Sequence, residues 1–239
     1  MHELDQFHNF KEKFLGKEGM FSEYKVAIGY FLFHELNEFF GDTADPELKR
    51  RGFNFTVYRD MDKFLDEVMN YDIVWVISNK QIVGDKERFV KGMGEFMKAK
   101  KSLFLWADNT PFTTHANAIL ETYFEGMQLE GNYIGQKIIT KSDKVEKSMF
   151  DQNHSIAYGL NNLYEGVTIC HPIKMHPDFK EFARNSNNEP LIIYADENEK
   201  HGRIIIDMGT TKLGTNFWGK AGTHQYVSNA NVWLTGIPI

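Results

Sequence analysis

The amino-acid sequence predicts an α/β protein of three layers, with a mostly parallel sheet covered by helices on both faces. Residues 72–78 (DIVWVIS) and 102–107 (SLFLWA) are apolar almost throughout, as strands buried on both faces are. These two segments alternate with segments of helical periodicity at residues 85–100 and 113–124. Alternation of buried strands with helices of this length is typical of parallel βαβ units.

The first part of the chain extends this alternation towards the N-terminus. Residues 24–33 (YKVAIGYFLF) form a continuous apolar run, which predicts the first buried strand. Asp45 and Pro46 mark a helix start, because proline fits the first helical turn and acidic residues favour it. Residues 53–58 then predict a short strand, and residues 61–69 predict a helix.

The second half is less regular, and its elements are predicted from shorter patterns. Residues 191–195 and 203–207 are apolar runs separated by a polar turn, which favours an antiparallel strand pair near the C-terminus. The stretch at 176–189 is hydrophilic and includes an expected surface turn at 185–188 (NSNN). Further strands are predicted at 131–140 and 166–170, and a closing helix at 221–234.

The N-terminal residues show a periodicity of their own. Their apolar residues recur at helical spacing, so residues 3–15 are expected to form a short amphipathic helix. This helix would pack either on the domain or on another chain. No linker or internal repeat divides the remaining sequence. We therefore expect an N-terminal amphipathic segment at 1–20 and a single α/β domain at 21–239.

Composition and charge exclude several classes of protein. The chain has 27 basic and 33 acidic residues and a net charge of −6, which opposes binding to nucleic acid. No apolar run approaches the roughly 20 residues that span a bilayer, and the N-terminus lacks a signal-peptide pattern. The single cysteine, Cys170, excludes an internal disulfide. These observations predict a cytoplasmic protein that binds neither nucleic acid nor membranes.

The candidate ligand site follows from the predicted sheet. In open parallel sheets, ligands bind beyond the carboxyl ends of the strands. The sequence after the central strand reads Asp108-Asn109-Thr110 and leads into a helix, so a carboxylate and an amide could contact a ligand there. The same residues could cap the helix, and one residue could do both. The rule that ligands bind beyond the carboxyl ends of the strands, here called the strand-end rule, makes the loops after residues 31, 78, 107 and 207 the candidate ligand-binding loops.

Three further residues complete the candidate crevice. His115 falls just inside the predicted helix, so its side chain could reach the crevice as an acid or base. Asp207 ends a predicted strand and would add a second carboxylate. Trp218 lies in a glycine-rich loop, where it either folds back over the sheet or lines a pocket.

Patterns for cofactors and metals are weak. Residues 209–216 (GTTKLGTN) could hold an anion or simply connect to the last helix, and their lysine is misplaced for a P-loop. His171 and His176 flank a proline-containing turn with no third ligand at suitable spacing. We therefore expect no metal site and no cofactor.

Two short sequences and the order of elements carry a resemblance to a known family. His154-Ser155-Ile156 followed by Gly159-Leu160 gives the pattern H-x-I-x-x-G-L, and residues 202–207 read GRIIID ahead of the terminal helix. Together with the strand–loop–helix alternation, this succession resembles the class I glutamine amidotransferase-like superfamily over roughly residues 24–236. The resemblance implies a flavodoxin-like fold.

One departure from the family's pattern concerns catalysis. Active members carry a cysteine on the sharp turn after the central strand, where it works with a downstream His and Glu. This chain has Asp108, Asn109 and Thr110 at that turn. Cys170 lies on a later strand and is expected to be a buried structural residue, since a thiol without a placed base is not a catalyst. The resemblance therefore implies the fold and argues against amidotransferase activity.

Two functions follow as hypotheses. The first is a non-catalytic amidotransferase-like domain, a pseudoenzyme, that binds a small molecule or assembles with a protein partner, including a second copy of itself. The alternative is a hydrolase-type enzyme that acts on a sugar or a small amide through acid–base residues at the strand-end crevice. The sequence identifies neither the ligand nor the partner.

Overall fold

The structure is a computed structural model that describes residues 3–141 and 149–238. Within these residues, seven strands form a central sheet and four form two separate pairs. In chain order the strands are β1 (Lys25–Tyr30), β2 (Asn54–Tyr58), β3 (Ile73–Ile77), β4 (Ser102–Trp106), β5 (Leu129–Ile134), β6 (Ile138–Thr140), β7 (Asn162–Tyr164), β8 (Thr168–Pro172), β9 (Lys180–Arg184), β10 (Pro190–Ala195) and β11 (Ile204–Asp207).

The central sheet has the strand order β2-β1-β3-β4-β11-β10-β9. The first five of these strands run parallel, whereas β10 is antiparallel to both β11 and β9. The parallel part reproduces the 2-1-3-4-5 order of flavodoxin-like sheets, with β11 in the fifth place. The mostly parallel sheet and the antiparallel pair near the C-terminus are therefore confirmed.

Helices cover both faces of this sheet. One group of helices contains α1 and α6, which contact each other, and the other contains α2, α3 and α4, in which α3 contacts both neighbours. Their bounds are α1 (Ala44–Arg51), α2 (Met61–Glu67), α3 (Lys86–Lys98), α4 (Thr114–Tyr123), α5 (Thr215–Trp218) and α6 (Thr223–Leu234). Among the residues that the structure describes, no helix has the length and apolar character needed to cross a membrane.

The middle of the sheet is filled by aromatic side chains. Every residue of β3 and β4 is buried, as their continuous apolar sequences predict. The ring centroids of Phe104 and Trp106 are 4.3 Å apart, and those of Trp75 and Trp106 are 5.5 Å apart. The indole N–H of Trp75 donates to Asn231 Oδ1 of α6 at 2.9 Å, which satisfies a donor that is costly to bury alone. This contact fixes α6 against β3.

The N-terminal segment does not form the predicted helix, so that expectation is wrong. Asp5 Oδ1 accepts hydrogen bonds from the backbone N–H groups of Phe7 and Asn9, both at 2.8 Å, which closes a turn. Leu4 and Phe10 then pair across this turn as an isolated β-bridge. A side chain that bonds to nearby backbone groups competes with helix formation, and here it prevails over the apolar periodicity.

The same segment packs on the domain, which was one of the two expected outcomes. Asn9 Oδ1 accepts hydrogen bonds from the backbone N–H groups of Asn161 and Asn162, both at 2.7 Å. The backbone N–H of Leu15 donates to Asn229 Oδ1 of α6 at 2.8 Å, in a buried position. The segment is therefore held by polar contacts to residues more than a hundred positions away along the chain.

Two elements of the second half differ from expectation. The single strand predicted at 131–140 is two strands, β5 and β6, which pair with β8 and β7 respectively. The hydrophilic stretch at 176–189 contains β9, the edge strand of the central sheet. β9 carries charged residues at both ends and buries only Phe182 and Ala183, so it lacks the apolar run that marks the other strands.

Candidate functional site

A small crevice lies at the carboxyl ends of β4 and β11, where the strand-end rule places a ligand. Its cavity volume is about 170 Å³, below the roughly 300–1,000 Å³ of typical small-molecule pockets. The crevice therefore fits a small group or the end of a longer ligand. Its lining residues are Leu32, His34, Phe39, Ser78, Asp108, Asn109, Phe112, Thr168, Thr210 and Thr211.

Asp108 is the carboxylate of the crevice. It follows β4 by two residues and is 5% exposed. Its Oδ1 accepts hydrogen bonds from the backbone N–H of Asn109 at 2.8 Å and from the hydroxyl of Thr168. Its Oδ2 accepts a hydrogen bond from the backbone N–H of Thr211 at 3.0 Å. Three separate parts of the chain therefore fix the position of this carboxylate.

Opposing effects set the protonation of Asp108. Burial, assisted by the negative charge of Asp207, raises the pKa of the Asp108 carboxyl to about 6, because a charge is costly away from water. The hydrogen bonds from Thr168, Asn109 and Thr211 act in the opposite direction, since they stabilise the ionised form. The carboxyl is therefore ionised at neutral pH and takes up a proton near pH 6.

A buried ion pair holds the turn that follows β11. Lys212 Nζ donates hydrogen bonds of 2.8 Å to both carboxylate oxygens of Asp207, and both side chains are fully buried. Asp207 Oδ1 also accepts a hydrogen bond from the backbone N–H of Gly209 at 2.9 Å. Thr210 and Thr211 lie in the turn between Asp207 and Lys212, and both line the crevice.

The hydroxyl groups of the crevice offer both donors and acceptors to a ligand. Thr168 donates its proton to Asp108, and Thr210 donates its proton to the backbone oxygen of Ala107 at 2.8 Å, so both hydroxyls keep acceptor capacity. Ser78 Oγ accepts a hydrogen bond from a backbone N–H of α4 at 3.2 Å and retains a proton to donate.

Aromatic side chains surround the mouth of the crevice. We refer to Phe33, His34, Phe39 and Phe112 as the aromatic rim. The ring of His34 lies 4.1 Å from that of Phe33 and 4.9 Å from that of Phe39, and the rings of Phe33 and Phe112 are 5.9 Å apart. Phe33 is 57% exposed. Phe39 and Phe112 of this rim also line the crevice, so its walls are partly apolar.

The structure brings two of the predicted residues into the crevice. Asp108 and Asn109 both line it, and the Asn109 amide donates to Asn132 Oδ1 at 3.0 Å. Thr110 is exposed and lines a neighbouring surface groove instead of the crevice, and its backbone N–H donates to the oxygen of Gly131 at 2.8 Å.

The other three predicted residues do not line the crevice. His115 is fully buried, its ring stacks on that of Phe31 at 4.9 Å, and burial lowers its pKa to about 4. Asp207 is paired with Lys212 in the interior. Trp218 is partly buried and packs against the core, as its fold-back interpretation predicts.

Cys170 is fully buried on β8, as expected. Burial raises the pKa of its thiol well above the ordinary value, and the charges of Asp108 and Asp207 add to this rise. A thiol that stays protonated is a poor nucleophile. Within residues 3–141 and 149–238, no group of three or more His, Cys, Asp or Glu side chains is placed to hold a metal ion.

The crevice draws on all four strand-end loops selected from the sequence, but one of its principal residues was missed. Leu32, Ser78, Asp108 and Thr210 follow β1, β3, β4 and β11 respectively. Thr168, which donates to Asp108, begins β8 in a separate antiparallel pair. No local pattern in the sequence connects Thr168 to the end of β4.

Comparisons with known proteins bear on the fold. No family model matches the chain, and no curated protein matches its sequence. The fold is similar to the mmIFT52 N-terminal domain (12% identity, TM-score 0.64), with 90% of this chain and 98% of that domain covered. It is also similar to a protein from Bacteroides uniformis described as ThuA-like (12% identity, TM-score 0.59, 90% and 92% covered).

A third similarity points to the same fold. A protein from Thermoplasma acidophilum described as a GMP synthase component has 10% identity and a TM-score of 0.53, with 88% of this chain and 95% of that chain covered. Identities this low show a likeness of fold alone. Together the strand order and these neighbours show an α/β fold with a mostly parallel central sheet.

Proposed function

We propose that this chain is a binding domain with an amidotransferase-like fold, and that its strand-end crevice holds the end of a small polar ligand without cysteine chemistry. The observation that carries this proposal is Asp108. A carboxylate that is 5% exposed lines a cavity at the turn where active amidotransferases carry their nucleophile. Buried charge is costly, and a site that retains it at a cavity is a candidate for ligand recognition.

Binding has more support than hydrolysis. Acid–base hydrolysis commonly uses two groups that exchange protons with the reacting atoms. Among the described residues that line the crevice, Asp108 is the only one with a carboxyl group, and the second candidate, Asp207, is buried and paired with Lys212. His34 also lines the crevice, but its imidazole pairs with Glu38 at 3.8 Å and forms no hydrogen bond with Asp108. His115, the other proposed acid or base, is packed in the core.

The proposal is tested by ligand-induced thermal stabilisation. The purified protein is screened against small molecules that carry hydroxyl, amide or amine groups, and native mass spectrometry checks for a molecule that copurifies. The variant Leu32→Trp fills the crevice, because Leu32 lines it. A hit should raise the melting temperature of the natural protein and leave that of Leu32→Trp unchanged.

Leu4→Trp is the matched control, because Leu4 is 42% exposed and does not line the crevice. This variant should respond to the ligand as the natural protein does. Equal responses in both variants would place binding elsewhere. Release of ammonia from glutamine or another small amide by the natural protein would show catalysis and contradict the non-catalytic part of the proposal.

Self-association is a second candidate function, which exposed apolar side chains on β5 and β6 favour. Ile134 is 75% exposed and Ile138 is 45% exposed, and grouped apolar exposure marks interaction surfaces. Light scattering across a concentration series measures the mass in solution. The mass measured for the natural protein should exceed that of one chain, and the mass measured for Ile134→Asp should equal that of one chain. Ile173→Asp, at an isoleucine that is 52% exposed, is the matched control.

A further inference from the structure

The charge of the crevice is unbalanced. Lys212 neutralises Asp207, but within the described part of the chain no Lys or Arg side chain forms an ion pair with Asp108. Because Asp108 is 5% exposed, water screens its charge poorly. Buried carboxylates are normally paired with a cation. A cation from solution can reach the carboxylate of Asp108 through the open side of the crevice.

The hydrogen bonds already made to Asp108 define what kind of cation fits. Oδ1 accepts two hydrogen bonds, from Asn109 and Thr168, whereas Oδ2 accepts one, from Thr211. A guanidinium binds best when both carboxylate oxygens are free for a bidentate contact. An ammonium is a compact donor that needs one acceptor position on the carboxylate, and Oδ2 has one.

Two hydroxyl groups complete the acceptor set. An ammonium has three N–H donors and no acceptor. Thr168 and Thr210 both line the crevice, and both hydroxyls give their own protons to other groups, so they keep the capacity to accept from a ligand. With Asp108 Oδ2 they provide three acceptors. The walls beyond them, formed by Leu32, Phe39 and Phe112, suit an apolar stem.

We propose that the crevice binds a primary ammonium group carried on a narrow apolar stem. This inference rests on the proposed function, because it names the class of ligand that the crevice holds. The charged groups around Asp108 permit it. Asp207 and Lys212 cancel each other, and the thiol of Cys170 stays protonated. At the mouth, His34 Nδ1 lies 3.8 Å from a carboxylate oxygen of Glu38.

The test is an NMR titration of the full chain with two probes of similar shape, butylammonium chloride and butanol. The backbone N–H groups of Asn109 and Thr211 both donate to Asp108, so their signals report on the carboxylate. Butylammonium should shift both signals at pH 7.5 with an affinity at least about tenfold higher than that of butanol. The N–H of Asn187, which donates to Asn185 Oδ1, is the distant reference signal.

The pH dependence of the titration separates a charged contact from a neutral one. Protonation of Asp108 removes the charge that holds the ammonium. With a pKa of about 6, the affinity for butylammonium should fall about tenfold from pH 7.5 to pH 5.0, while that for butanol should not change.

Three variants complete the test. Asp108→Asn should lose the preference for butylammonium over butanol. Asp196→Asn makes the same chemical change at an exposed carboxylate and should keep that preference. Thr168→Val keeps the carboxylate and removes one acceptor, so it should weaken butylammonium binding by less than Asp108→Asn does. If Asp108→Asn fails to fold, the loss of butylammonium affinity in Thr168→Val still tests the proposed contact.

The outcomes distinguish the two proposals. If butanol binds as well as butylammonium, or if Asp108→Asn keeps the preference for butylammonium, the ammonium inference is overturned and the proposed binding function stands. If neither probe shifts the signals of Asn109 and Thr211, while another small polar molecule does, the ammonium inference again fails alone. If no small molecule shifts them, both proposals fail.

Discussion

Asp108 and His115 are buried at the two ends of the turn that joins β4 to α4, and burial shifts their pKa values in opposite directions. The pKa of Asp108 is raised to about 6, and that of His115 is lowered to about 4. Each shift disfavours the charged form of a group that water no longer solvates. The two residues therefore affect stability over the same pH range with opposite sign.

Asp108 should make the fold less stable as the pH rises from 4 to 6. In this range the folded protein keeps the Asp108 proton and the unfolded chain has lost it, so the unfolding free energy falls with pH. The shift from 3.8 to about 6 corresponds to about 3 kcal/mol. Urea unfolding at pH 4 to 7 measures this effect. The difference in unfolding free energy between Asp108→Asn and the natural protein should move in favour of Asp108→Asn by this amount as the pH rises. Asp196→Asn should give a curve parallel to that of the natural protein.

His115 should have the reverse effect. Between pH 4 and 6.5 the unfolded chain binds a proton that the folded protein excludes, so the unfolding free energy rises with pH by about 3 kcal/mol. His115→Phe keeps a ring in the stack on Phe31 and should lose this rise. In the natural protein the effects of Asp108 and His115 oppose each other over this range, and the buried His154 and His224, whose pKa values are also lowered, add to the rise. Identical profiles for His115→Phe and the natural protein would show that His115 does not titrate in this range.

Removal of Lys212 should be strongly destabilising. Lys212→Met leaves the carboxylate of Asp207 buried without its counter-charge, which costs about 3–5 kcal/mol. The double variant Asp207→Asn with Lys212→Met removes both charges and should recover part of the loss in urea unfolding. Lys180→Met breaks the exposed pair with Asp196 and should change stability little. Similar losses in Lys212→Met and Lys180→Met would contradict this account.

Gly159 should tolerate no side chain. Its φ of +78° favours glycine, and a Cβ there would lie 2.3 Å from the backbone oxygen of Lys13 in the N-terminal segment. Gly236 has the same φ, but a Cβ at this position would have no other atom within 4 Å. Gly236→Ala should cost about 1 kcal/mol from the backbone alone, and Gly159→Ala should cost about 1–3 kcal/mol more from the clash. Thermal unfolding of both variants measures the difference.

The parts of the fold that the sequence predicted are those with a strong local pattern. β3 is apolar throughout and β4 is apolar after Ser102, and Asp85 caps α3 as expected for the first residue of its predicted helix. β9 was missed because it is a sheet edge, where charged residues at Lys180 and Arg184 remain compatible with pairing. The turn at Asp5 shows the converse, since a single carboxylate outweighed a helical apolar pattern.

The site was predictable only in part, for a similar reason. Asp108 and Asn109 follow a recognisable strand, so the strand-end rule identified them. Thr168 joins them through a tertiary contact between elements 60 residues apart. His115 was wrongly predicted to reach the crevice, because its place near the start of the helix does not show which face of the helix it occupies. In the structure its ring stacks on that of Phe31 in the core.

The position of β11 affects how the chain can fold during synthesis. β11 is synthesised after the other six strands of the central sheet, yet it lies between β4 and β10 near the middle of that sheet. Until it emerges, the hydrogen-bonding edge of β4 has no strand beside it, and the apolar strand stays open to pairing with other nascent chains. Binding of a chaperone to the apolar stretch at 102–107 would protect the nascent chain during this interval.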